Sequence, residues 1–296
     1  MAVPKQVISG ELVKKSNALA RARWEPTSIW EPRIVALIAS KVREDDDDFH
    51  TYKIPISELF RGTTAKLDGA TYNLISESIA RLGKATIRIQ GKKPSNFRQY
   101  AIFAMCGYED GCVIAEFHPD LKPHFLSLKA NFTAYNLLDF IKLPSSYSQR
   151  MYELLKSWDD KPEYVASLTD LHDFLNTPPS LRKNFSNFRL RVLEKVHKDI
   201  QAQTSLRFEW QPVKRGRSIA QIRFLFSRSR QTKVSDEKKQ EQALHKAQLL
   251  NSRIARAMEC ARRKEGICEE HDNKPILCKI CMRMGYCAEL KKRFGD

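Results

Sequence analysis

The sequence predicts an α+β protein made of two tandem winged-helix domains followed by a basic C-terminal extension that holds a candidate zinc module. Three observations predict this. One order of elements occurs twice: a helix, a strand, a short helix, a long amphipathic helix and then strands. Ser57-Glu-Leu-Phe and Thr169-Asp-Leu-His-Asp-Phe sit at matching places about 112 residues apart. Strands starting near Thr86 and Ser205 follow the two long helices. The second observation is charge. Residues 181–230 hold 13 Lys/Arg against 3 Asp/Glu, or +10 of a chain total of +16. The third is that five of the seven cysteines fall within the last 37 residues.

A chain of 296 residues that is 42% hydrophobic can bury two cores of ordinary size. A pI near 9.6 points to a polyanionic partner, with nucleic acid ahead of an anionic membrane surface. No apolar run approaches the ~20 residues of a membrane helix. The opening residues lack the apolar centre of a secretory signal. A cytoplasmic protein is expected, with no membrane partner. An odd cysteine count clustered at one end suits a metal better than a disulfide framework.

Residues 1–24 are polar and basic without a clear period. They read as an arm without structure when free, with Lys14, Lys15, Arg21 and Arg23 available to phosphates. The first winged helix is expected over residues 25–130. Ile29, Trp30, Ile34, Leu37, Ile38 and Val42 recur at helical spacing, with Thr27 or Ser28 as the cap. The acidic run 44–48 ends this helix as a solvated loop. A strand through Tyr52, Ile54 and Ile56 leads into a short helix capped by Ser57. A helix over residues 70–82 buries Tyr72, Ile75, Ile79 and Leu82. Strands are expected at 86–90, 100–106 and 112–117, the last two joined by an Asp-Gly hairpin turn. Cys106 and Cys112 flank that turn and read as buried free thiols rather than a metal or redox pair. His118-Pro-Asp-Leu-Lys-Pro-His-Phe closes the domain with a short helix.

The second winged helix is expected over residues 131–230. A helix over 135–140 precedes Pro144. Ser145 and Ser146 cap a helix to Trp158, with Tyr147, Met151, Leu154 and Leu155 on its apolar face. A strand over 164–168 and a short helix from Thr169 lead to the turn Thr177-Pro-Pro-Ser. In the next helix, over 184–202, Phe185, Phe188, Val192, Leu193, Val196 and Ile200 form one apolar stripe. That turns Asn184, Asn187, Arg191, Lys195 and Lys198 away from the core and leaves Arg189 at the edge. Arg182 and Lys183 lie just ahead. Asn and Arg at the N-terminal half suit a helix inserted in a major groove, where Asn can pair with adenine and Arg with guanine. Strands over 206–213 and 219–226 are joined by Lys214-Arg215-Gly-Arg217, a cationic wing tip aimed at phosphates. The start of the preceding helix adds Ser145, Ser146 and Arg150 as candidate DNA contacts. In the first domain, the matching helix turns Thr71, Asn73, Ser76, Glu77 and Arg81 outward. It carries little charge and suits weak DNA contact or a dimer surface.

These motifs resemble the iteron-binding replication initiators of theta-replicating plasmids. The resemblance rests on Phe117-His-Pro-Asp-Leu-Lys-Pro-His-Phe-Leu with Phe132-Thr, on Ser148-Gln-Arg-Met-Tyr-Glu-Leu-Leu, on Asn187-Phe-Arg-Leu-Arg-Val-Leu, and on Thr204-Ser-Leu-Arg-Phe with Lys214-Arg-Gly-Arg. It spans residues 25–228. It implies two winged helices that bind direct repeats at a plasmid origin, melt nearby AT-rich DNA and recruit a host helicase or host initiator. It also implies a homodimer in equilibrium with monomer, joined through the first domain and repressing its own gene at an inverted repeat. Base reading falls by the same resemblance on Arg189 and Arg191, with Asn187 beside them. Where such proteins often carry three consecutive arginines, Leu190 stands in the middle.

After residue 230 the composition changes. Residues 231–242 read as a linker and residues 243–263 as a helix. Cys268-x2-His271-x6-Cys278-x2-Cys281 then offers three thiolates and an imidazole at spacings that suit tetrahedral zinc, with Cys260 and Cys287 as flanking substitutes. No GxxxxGK[ST] loop is present, so no nucleotide is expected and the chain reads as a binding protein rather than an enzyme. Two other readings remain at this stage. One is a winged-helix repressor without origin activity, and the other is a relaxase-like DNA-nicking enzyme.

Overall fold

A computed structural model describes residues 12–227, apart from 44, 45, 62, 64–66, 92 and 94. These residues belong to one compact unit. The candidate zinc ligands Cys268, His271, Cys278 and Cys281 lie outside the described residues. Among the described residues no cluster of three metal-ligating side chains occurs, and no helix is long and apolar enough to cross a membrane.

The chain opens with β1 (Leu12–Ser16) and α1 (Asn17–Ala20), followed by α2 (Trp30–Ala39). At the head of α2, Ser28 Oγ accepts from the Trp30 N–H at 3.2 Å, and Glu31 reaches back to the Thr27 N–H at 3.0 Å. Then come β2 (Tyr52–Pro55), a 3₁₀ turn (Ile56–Phe60) and α3 (Gly69–Leu82). The 3₁₀ turn replaces the expected Ser57-capped helix, because no side chain caps it. Asp68 caps α3 by accepting the Thr71 N–H at 2.8 Å. Four strands follow: β3 (Thr86–Gln90), β4 (Phe97–Ala101), β5 (Phe103–Glu109) and β6 (Cys112–Phe117). Asp110 and Gly111 both take positive φ (50° and 76°), the geometry of a type I′ hairpin turn. The sheet order is β2-β6-β5, with β3-β4 as a separate ribbon. Cys106 faces Ala115 and Cys112 faces Glu109 across the hairpin, so the two thiols are not paired. Burial pushes the Cys106 thiol up to about 12, which leaves it inert.

A short helix, α4 (Lys122–Phe125), then β7 (Phe132–Asn136) and α5 (Leu137–Ile141) lead into α6 (Ser146–Lys156). Next are β8 (Glu163–Ser167), α7 (Leu168–Phe174) and α8 (Pro179–Arg182). The last helix runs as α9 (Phe185–Phe188), a π-helical turn (Arg189–Leu193) and α10 (Glu194–Gln203). Strands β9 (Phe208–Arg215) and β10 (Ser218–Phe226) complete a sheet of order β8-β10-β9. The helix–strand–helix–helix–hairpin order thus occurs twice, and both three-stranded sheets place their last strand in the middle. In the first domain β5 and β6 hold the places of β9 and β10. The match of the strand at Thr86 to the one near Ser205 is therefore corrected: β3 pairs with β4 and, through Arg88, bridges Arg23, forming an added ribbon outside the three-stranded sheet.

Three further expectations are overturned. Residues 12–24 are not an unstructured arm, since β1 pairs antiparallel with β7 and Val13, Leu19, Ala22 and Trp24 are buried. The expected helix over 135–140 begins instead as β7, one strand of that pair. Tyr72 is exposed at 38% and rests edge-on against Tyr108 at 5.3 Å.

Candidate nucleic-acid interface

The helix–turn–helix of the second domain is α7, α8 and α9–α10. Its turn is held by Arg182. The guanidinium donates to Asp173 Oδ1 at 2.6 Å, to the Thr177 carbonyl at 2.8 Å and to the His172 carbonyl at 3.1 Å. The long helix starts where Asn184 Oδ1 accepts the Asn187 N–H at 3.2 Å. Its inner face buries Phe188, Val192, Leu193, Val196 and Ile200. Two further ties fix its direction. Ser148 Oγ on α6 donates to Asp199 Oδ2 at 2.6 Å, and Gln201 Nε2 donates to the Phe208 carbonyl of β9 at 3.1 Å.

The π-helical turn lies where the reading residues are expected. The Glu194 N–H bonds back to the Arg189 carbonyl, which fits one extra residue into the turn. Phe188 and Val192 stay buried while Arg189, Leu190 and Arg191 all face solvent. Asn187, Lys195 and Lys198 are exposed on the same helix, and Lys183 is exposed just before it. Arg189 Nε is tied to Glu194 Oε1 at 2.9 Å. The side chains of Lys183, Arg191, Lys195 and Lys198 have no hydrogen bond or ion pair among the described residues.

The wing is built by the β9–β10 register, which sets Arg215 opposite Ser218. Gly216 takes φ +64° as the first turn residue, a conformation that L side chains resist. The two-residue turn is Gly216-Arg217, so Lys214 and Arg215 end β9 rather than forming the loop. Lys214, Arg215 and Arg217 are exposed and make no ion pair among the described residues. Unpaired cations on one helix and one hairpin tip can meet the phosphates on either side of a groove.

Other candidate residues have internal employment. Arg150 is only 2% exposed, so its expected DNA contact is corrected. Its guanidinium bonds Glu153 at 3.1 Å and the Ala22 carbonyl, and it lies 4.3 Å from the Phe174 ring centroid. Burial lowers its pKa, and Glu153 acts in the opposite sense. Lys15, expected on a mobile arm, is buried against Glu153. Arg21 lies over Trp158 at 3.5 Å, and Arg23 bonds Asp170 at 2.8 Å. Arg182 braces the turn as described. Ser145 is taken up as the cap of α6, accepting the Ser148 N–H at 3.0 Å, and Ser146 is half-buried beside it. In the first domain, Arg81 is bound to Glu31 at 2.7 Å, and α3 exposes Leu74 and Tyr72 rather than cations. Leu74 was not singled out in the sequence, and Tyr72, three positions before Ile75, was placed in the apolar stripe; helical spacing alone gives no signal of its exposure.

Two winged helices in tandem, with an unpaired cationic face on the second, define a DNA-binding protein of the tandem winged-helix class. The family model "Initiator Replication protein, WH1" matches residues 12–156, and "Initiator Rep protein, WH2" matches residues 167–226. The chain therefore belongs to the family of plasmid-type replication initiator (Rep) proteins. No curated protein matches it. Among solved structures, the crystal structure of the Pi initiator protein in complex with iteron DNA is similar, with a TM-score of 0.57 and 18% identity. The match covers 74% of this chain and 98% of that one. At that identity the likeness is one of fold.

Proposed function

We propose that this protein initiates replication by binding repeated duplex DNA sites (iterons) at an origin, with α9–α10 in the major groove and the β9–β10 tip on the backbone. The observation that carries this reading is the cationic face of a fixed helix, whose Arg191, Lys195 and Lys198 have no internal partner among the described residues, within a chain of the initiator family. The similar fold of the Pi initiator protein, crystallised with iteron DNA, supports it. Asn187, Arg189 and Arg191 read base edges. Lys183, Lys195, Lys198, Lys214, Arg215 and Arg217 hold phosphates. Binding and bending of DNA, rather than catalysis, open the origin and recruit host replication proteins. A homodimer formed through the first domain represses the initiator's own gene. Cys268, His271, Cys278 and Cys281 hold zinc.

A footprint of the full chain on the DNA flanking its own gene tests this. Protection of tandem direct repeats is the expected result. Protection confined to one inverted repeat would indicate a repressor without origin activity. Metal-dependent nicking of supercoiled DNA would indicate an enzyme.

A further inference from the structure

We infer that Leu190 is a specificity-determining residue of the recognition helix, and that it reads the C5-methyl group of a thymine. Leu190 is the most exposed large hydrophobic side chain among the described residues, at 56%. It is not packed against the core. It stands in the π-helical turn between Arg189 and Arg191, both exposed, on the most cationic helix face described.

An exposed leucine in that position asks for an apolar contact small enough to lie amid cations. A protein partner would have to bring acidic groups to Lys183, Arg191, Lys195 and Lys198 around this one apolar side chain and desolvate those pairs. A single apolar side chain is also too little for the buried centre of a protein interface. The surrounding charge favours a polyanion instead. In the major groove of duplex DNA, the thymine methyl is the one apolar group displayed among hydrogen-bonding edges. Phe188 and Val192, four positions apart, are buried, while Arg189, Leu190 and Arg191 between them all face solvent. Arg189 is held by Glu194, so Leu190 and Arg191 are the adjacent pair without internal ties. Such a pair would read a thymine next to a base offering acceptors, such as guanine.

The inference rests on the proposal that α9–α10 enters the major groove, and the experiment separates the two. The full chain selects its binding site from random duplex DNA. Each thymine of the selected site is then replaced singly by deoxyuridine, which removes only the methyl group. At one position the uracil site should bind the native protein about fourfold more weakly, the effect of one methyl contact. Leu190→Ala should bind the thymine and uracil forms alike, whereas Arg191→Ala should weaken binding but keep the thymine preference. Failure to enrich any sequence would overturn the groove-reading proposal and the inference with it. An enriched site at which no uracil matters, or a thymine preference that persists in Leu190→Ala, overturns the Leu190 role alone. Leu190→Ala that lowers the protein's oligomeric mass while leaving base preference intact assigns the residue to a protein contact and also overturns it.

Discussion

At the scale of single residues, equal charges divide by what lies across from them. Arg182 and Arg191 stand nine positions apart, and both are exposed. The Arg182 guanidinium makes three internal hydrogen bonds, whereas that of Arg191 makes none among the described residues. Arg191→Ala should therefore weaken specific DNA binding by about 1–3 kcal/mol and leave folding unchanged. Arg182→Ala should do the reverse. It removes bonds to Asp173 and to two carbonyls, and should lower unfolding free energy by about 1–3 kcal/mol in urea titrations. The salt dependence of DNA binding in that variant should match the native protein. Helical spacing showed which side chains leave the core, and on that ground Asn187, Arg191, Lys195 and Lys198 were legible in the sequence. Pairing was not legible. Lys15 reads as a cation like the others, and only the fold brings Glu153, 138 positions away, against it; Arg150 stands three positions from Glu153 on one helix, but only the fold buries it against the Ala22 carbonyl.

At the scale of elements, the turns were the easiest to read and the short non-local strands the hardest. Asp110-Gly111 and Gly216 declare their hairpins, because positive φ is inexpensive for glycine and tolerable for aspartate. β1 hides for a physical reason. Its inward positions are Val13 and Lys15, so a buried strand shows a lysine where alternation demands an apolar residue. Its partner β7 lies more than a hundred residues away, and no local pattern announces the pairing. The β9–β10 wing carries a prediction of its own kind. If Lys214, Arg215 and Arg217 hold phosphates, changing all three to glutamine should flatten the fall of log K with log salt. The slope should lose about 0.9 for each phosphate contact removed, with base preference retained. Binding measured at several salt concentrations checks this; an unchanged slope would assign the phosphate contacts to the helix.

At the scale of the whole molecule, β1, β7 and α6 meet around one buried cluster of charges. Lys15 from β1 bonds Glu153 on α6, and the Tyr135 hydroxyl of β7 donates to the same carboxylate. Arg150 joins from α6 and reaches the Ala22 carbonyl. Burial by itself would raise the Glu153 carboxyl, but the charges of Lys15 and Arg150 outweigh it and hold the pKa below the usual value. Burial lowers the Lys15 pKa, and Glu153 acts in the opposite sense. A carboxyl whose pKa is lower in the fold than in the unfolded chain stabilises the fold above its unfolded value, and that stability is lost as pH falls through the folded value. Glu153→Gln removes the carboxylate and leaves two buried cations without their counter-charge. Breaking a buried pair in this way costs about 3–5 kcal/mol, more than an exposed pair such as Arg23–Asp170 can supply. The variant should unfold at lower urea concentration at pH 7. Its stability should also fall less steeply than that of the native protein as pH drops below the ordinary carboxylate range. Equal stability of the two proteins at pH 7 would mean that the apolar packing of Trp24, Phe140 and Met151, rather than the ion cluster, holds these elements together.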